Sequence, residues 1–169
     1  MGIAKPLGMS LIAFIGLSAL FFLIGYGVQG TLGSYFDGIS LYPSLITLLI
    51  FGPIAASQFP AVIIMTVTSM FGGSVEAGPI IILIGYIIPP LVASILSGRL
   101  GETKNDAFLG WFLTAIITSL IVGIWMTIEA IGVGAQADLT IIGLIVQICL
   151  GLVYGFGYGC FSLLSVREN

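Results

Sequence analysis

Ser57, Gln58 and Gln147 are the side chains best placed to do chemistry in this chain, because each interrupts a long apolar run where a hydrogen-bonding group needs a partner. Ser57 and Gln58 fall between Pro53 and Pro60 in the charge-free stretch 41–73, LYPSLITLLIFGPIAASQFPAVIIMTVTSMFGG. Each proline lacks an N–H and crowds the preceding turn, so backbone carbonyls are freed close to two polar side chains. In hydrocarbon such an arrangement is tolerated where it is buried in protein or lines a water-filled cavity. The chemistry available is therefore hydration and coordination of a passing solute, with Pro53, Ser57, Gln58, Pro60 and Gln147 as candidate cavity or pore residues.

Bond-making chemistry has little to work with. The chain contains no histidine, which removes the commonest metal ligand and general base, and no G-x-S-x-G, H-E-x-x-H or phosphate-binding P-loop occurs. Glu129 is the acid nearest the interior of an apolar segment, yet it stands at that segment's end, which fits an interfacial acid better than a proton relay. Cys149 and Cys160 are eleven residues apart on one apolar segment, about 16 Å along a helix, too far for a disulfide; they read as small apolar fillers. No catalytic residue, metal ligand or cofactor is expected, and the chain does not read as an enzyme. The formal charge of −3 is dispersed, so nucleic acid is excluded as a partner, and no contiguous polybasic segment exists for anionic lipid.

Two motif matches fail on context. Gly25-Tyr-Gly27-Val-Gln-Gly30 fits G-x-G-x-x-G, but it closes an apolar helix instead of following a strand. The runs at 23–27 and 155–159 share Gly-Tyr-Gly with the T-V-G-Y-G filter of potassium channels; neither has the threonine, and too little chain precedes the first for an outer and a pore helix.

The elements that must position the polar residues are membrane helices. Apolar residues make up 59% of the chain and charged residues 7%, with a mean hydropathy of +1.24, so the fold class is an all-α integral membrane protein whose first partner is the lipid bilayer. One polytopic domain, 1–169, is expected, with helices near 7–30, 43–71 (broken), 79–97, 107–128 and 139–166. The first apolar segment lacks a cleavage-site pattern and reads as a retained helix. The stretch 30–40, GTLGSYFDGIS, reads as a turn-rich loop with Tyr35 and Tyr42 at the interface, and Trp111 and Trp125 mark the two ends of the fourth long helix. Thr103, Asn105 or Asp106 would cap that helix, and Pro89-Pro90 predicts a kink in the one before it.

The broken run can lie in two ways. As one helix, 43–71 would measure about 43 Å, against a hydrocarbon core of about 30 Å. It therefore forms a re-entrant hairpin or a tilted, kinked fifth span. Charge favours the hairpin. With four full spans, Lys5, Arg99, Lys104 and Arg167 fall on one side, and Asp37, Glu76, Glu129 and Asp138 on the other, with both termini cytoplasmic.

Gly143, Gln147, Gly151, Gly155 and Gly159 recur every four residues on the last helix. The glycines form a groove for close helix packing, either within the chain or between subunits, and Gln147 can hydrogen-bond across it. A shorter echo, Pro53-Ile-Ala-Ala-Ser57 and Pro90-Leu-Val-Ala-Ser94, hints at paired broken segments but is weak in so biased a composition. These features lead to the expectation of a channel, a carrier or a component of a transport assembly, as a homo-oligomer or with other membrane subunits. The alternative is a non-catalytic structural or assembly subunit of a larger membrane complex.

Overall fold

A computed structural model describes residues 2–55, 64, 66–68, 71 and 77–166. The described residues are helical, with no strand among them. Four helices are long and apolar enough to cross a membrane: α1 (Ala4–Val28), α4 (Ala77–Leu100), α5 (Lys104–Gly132) and α6 (Ala137–Leu164). Two short helices, α2 (Leu32–Leu41) and α3 (Ser44–Phe51), with a 3-10 turn at Gly52–Ile54, fill the connection after α1. The chain is a multi-pass helical membrane protein.

Close approaches fix the topology. Gly25 lies against Ile82 and the carbonyl of Gly78, Gly78 against Gln29, and Gly85 against Phe21, so α1 and α4 run antiparallel. On the other side Gly151, Gly155 and Gly159 of α6 meet Ser119, Phe112 and Phe108 of α5, again antiparallel. The starts of α1 and α5 therefore share one end of the bundle with the C-termini of α4 and α6. The end of α1 and the start of α4 share the opposite end, so the intervening chain returns to the side it left. A kinked fifth span would have to finish on the far side. The end of α1 and the start of α4 stand as a re-entrant arrangement requires, while most of the returning segment lies outside the described residues.

Charge follows the same division. Lys5, Arg99 and Lys104 lie at the first end together with Glu102 and Asp106, while Asp37, Glu129 and Asp138 lie at the second. Glu76 and Arg167 lie outside the described residues.

Several local expectations change. The segment read as a loop, 30–40, is largely the helix α2, whose glycines are outweighed by packing of its aromatic face. Tyr35 is buried, its ring centroid 4.6 Å from that of Tyr26, and its hydroxyl donates to the carbonyl of Leu45 at 2.5 Å. Burial, and secondarily the Tyr26 hydroxyl, push the Tyr35 hydroxyl above the ordinary tyrosine value. Tyr42, by contrast, is exposed. Trp111 is not an interfacial residue: it is fully buried, edge-on to Phe14, and its Nε1 donates to the Tyr154 carbonyl at 3.2 Å. Trp125 is exposed near the acid end, where a belt residue belongs. Cys149 and Cys160 fill no core space; both are exposed on α6. Thr103 is the N-cap of α5, accepting from the Asp106 amide at 3.1 Å, so that helix begins at Lys104. Pro89 and Pro90 are accommodated inside α4, both fully buried.

Candidate functional site

The half-helix α3 is the feature the broken run was expected to produce, and its residues explain where it stops. Ser44 to Phe51 is apolar apart from Ser44 and Thr47, so it can enter the bundle from the acid end, with Thr47, Leu48 and Phe51 buried and Ile46 left exposed. Pro53 then supplies no N–H, and the helix tightens into one 3-10 turn before Ala55 turns extended at φ −75° and ψ 103°. The steric objection to helical backbone before a proline is met at Gly52, which keeps φ −42° and ψ −46°. Without a Cβ it avoids most of that clash. Glycine is needed there for a second reason, since the ring of Phe22 occupies the space a Cβ would take.

The turn touches all four long helices, and Pro53, Ile54 and Ala55 are buried. Its depth is given by its partners. Gln147, ten residues into α6 and 2% exposed, donates from Nε2 to the Ile54 carbonyl at 2.5 Å. Ser119, in the middle of α5, donates to the Gln147 main-chain carbonyl. A freed carbonyl at mid-depth is thereby satisfied by a side chain 93 residues away.

From this point toward the cation end the interior carries buried hydroxyls. Ser10 and Thr114 lie 2.6 Å apart, and Ser97 donates to the Ala107 carbonyl at 2.7 Å. Thr118 donates to the Thr114 carbonyl at 2.8 Å. Ser18, one helical turn from Phe14 and from Phe22 on the same face of α1, is fully buried and makes no hydrogen bond among the described residues. Sequence reasoning missed these hydroxyls, although the four-residue spacing of Ser10, Phe14, Ser18 and Phe22 could have placed them on one inward face.

Of the candidate residues, the structure brings Pro53 and Gln147 to the same buried region. Ser57, Gln58 and Pro60 lie outside the described residues. The glycine row divides: a Cβ on Gly151 would lie 2.6 Å from Ser119 Cβ, and one on Gly155 2.8 Å from Phe112 Cδ2, whereas Gly143 has nothing within 4 Å. The close contacts belong to the α5–α6 pair within the chain. Gly143 instead borders a groove of about 160 Å³ between α5 and α6 at the acid end, shared with Gly123, Thr127, Thr140 and Gln147. Glu129 borders a separate groove of about 280 Å³ with Pro43 and Trp125. Among the described residues no group of three or more His, Cys, Asp or Glu could hold a metal ion. The Pro-x-x-Ala-Ser echo falls on unlike backbone, since Pro90 and Ser94 sit within continuous α4 while Pro53 ends a helix.

Comparison with models of protein families, with curated proteins and with solved structures finds no match to this chain.

Proposed function

We propose that the protein is a channel or carrier, or the membrane component of a transport assembly, with the α3 tip as its closed gate. The observation that carries this reading is the Gln147–Ile54 hydrogen bond at the end of a half-helix. A segment that enters from one side and stops at mid-depth presents carbonyls there, an arrangement suited to binding solutes or ions as they cross. When the tip moves, the Ile54 carbonyl can exchange its Gln147 donor for water or a cation. Gln58, between Pro53 and Pro60 in the sequence, is the second polar contributor in this reading. The cation end faces the cytoplasm, so both termini are cytoplasmic, and the narrow bundle works as a homo-oligomer or with other membrane subunits.

The dense packing of Pro53, Ile54 and Ala55 against all four helices favours a second reading, a non-transporting structural or assembly subunit, because it equally suits a permanent plug. Reconstitution into liposomes separates the two. The transport reading expects flux of some ion or small solute above empty vesicles, reduced by Gln58→Leu with little loss of folding. Stoichiometric co-purification with other chains, together with no flux across a broad panel, would overturn it.

A further inference from the structure

The outer seam between α4 and α6 closes at the cation end and opens below it. A Cβ added to Gly98 would lie 2.7 Å from Ser165 Cβ, so the helices touch there. Farther into the bundle they part, and Ile87 and Leu91 face Gly157, Tyr158 and Phe161 across an apolar groove of about 400 Å³. Gly157 leaves one wall without a side chain, and nothing lies within 4 Å of where its Cβ would be. Ile87 and Phe161 are 46% and 42% exposed, so the groove opens outward to lipid.

On α4 one wall continues to a charge. Ile87, Leu91, Ile95 and Arg99 recur every four residues and form a ridge that ends at an exposed guanidinium. Leu91 and Ile87 are eight and twelve residues from Arg99, about 12 and 18 Å along the axis. The hydrocarbon of one leaflet is about 15 Å deep. A chain hung from a headgroup at Arg99 and following the inclined ridge would therefore reach the depth of the groove.

We infer that the α4–α6 seam binds an anionic phospholipid, with its phosphate on Arg99 and one acyl chain in the groove beside Gly157. A guanidinium presents several N–H donors in the planar fork that phosphate oxygens accept. Sequence offered no contiguous basic segment, and at this end Lys5 and Lys104 are offset by Glu102 and Asp106, so the anion preference rests on the exposed Arg99. A second copy of the chain is a poorer occupant. A parallel pair across this seam would set Arg99 against Arg99, and like charges so placed oppose association.

Native mass spectrometry of the purified protein, offered phosphatidylglycerol or phosphatidylcholine with identical acyl chains, tests the site. Wild type is expected to retain the anionic lipid about fivefold better, the equivalent of one cation near the surface. Arg99→Gln should abolish that preference, Arg99→Lys should keep most of it, and Gly157→Leu should reduce retention of both lipids. Arg99→Gln and Arg99→Lys alter an exposed side chain, so folding, checked by circular dichroism, is expected to be unchanged. Equal retention of the two lipids by wild type, or a preference surviving Arg99→Gln, overturns the inference. A dimer abolished by Gly157→Leu, with no lipid preference, overturns it in favour of a second copy.

Discussion

The side-chain amide of Gln147 donates to the carbonyl of Ile54 at 2.5 Å, tying the last helix to the point where the half-helix stops. Removing that donor with Gln147→Leu leaves a buried carbonyl unpaired, at a cost of about 1–3 kcal/mol. Lower thermal stability in detergent is the expected result. In the transport reading the same variant raises leak, because the tip loses its tether. A variant as stable as wild type would show that water or another donor satisfies Ile54.

Gly151→Leu and Gly155→Leu should each destabilise by about 1–3 kcal/mol, since their side chains would be driven into Ser119 and Phe112. Gly143→Leu is the internal control and should be close to neutral, because its Cβ would meet open space. Because the contacts are within the chain, folding should fail in the first two before any oligomer dissociates. Equal effects at positions 143 and 151 would contradict the α5–α6 packing.

Ser18 is buried without a hydrogen bond among the described residues, so none of them compensates the desolvation of its hydroxyl. Ser18→Ala is expected to be neutral or stabilising, by up to about 1 kcal/mol. Chemical denaturation of the two proteins side by side decides it. A loss of more than that amount would reveal a partner such as a bound water or ion.

Cysteines placed at Ser34 and Ala135, each in a Cys149→Ser, Cys160→Ser background, should be labelled from the same side of the membrane. A cysteine at Glu102 should be labelled from the other. With the cation end cytoplasmic, an impermeant thiol reagent added outside intact cells reaches the first two, and reaches the third only after permeabilisation. Labelling of 34 and 135 from opposite sides would break the four-span topology.

What the sequence determined by itself is whatever depends on local composition and length. Four apolar runs of spanning length are visible without coordinates, and so is the break at Gly52-Pro53, since a missing N–H acts on its own helix. The separation of Arg99 and Lys104 from Glu129 and Asp138 was also legible, because one whole helix lies between them, whereas the side of Lys5 depended on whether the broken run re-enters or spans. Partnerships between distant residues were not. Gln147 could be identified as a hydrogen-bonding group needing a partner, but its choice of the Ile54 carbonyl depends on how far α3 descends between four other helices. Trp111 illustrates the same limit: near a helix end its type suggests the interface, yet the convergence of Phe14, Tyr154 and Tyr158 around it makes that position core. The glycine row was periodic along all its length, and only the tertiary structure, which sets Gly151 against Ser119 and leaves Gly143 on a groove, decided which of them is packed. In lipid, periodic apolarity cannot tell an inward face from an outward one, because both are apolar; contact between helices, which is tertiary, makes that distinction.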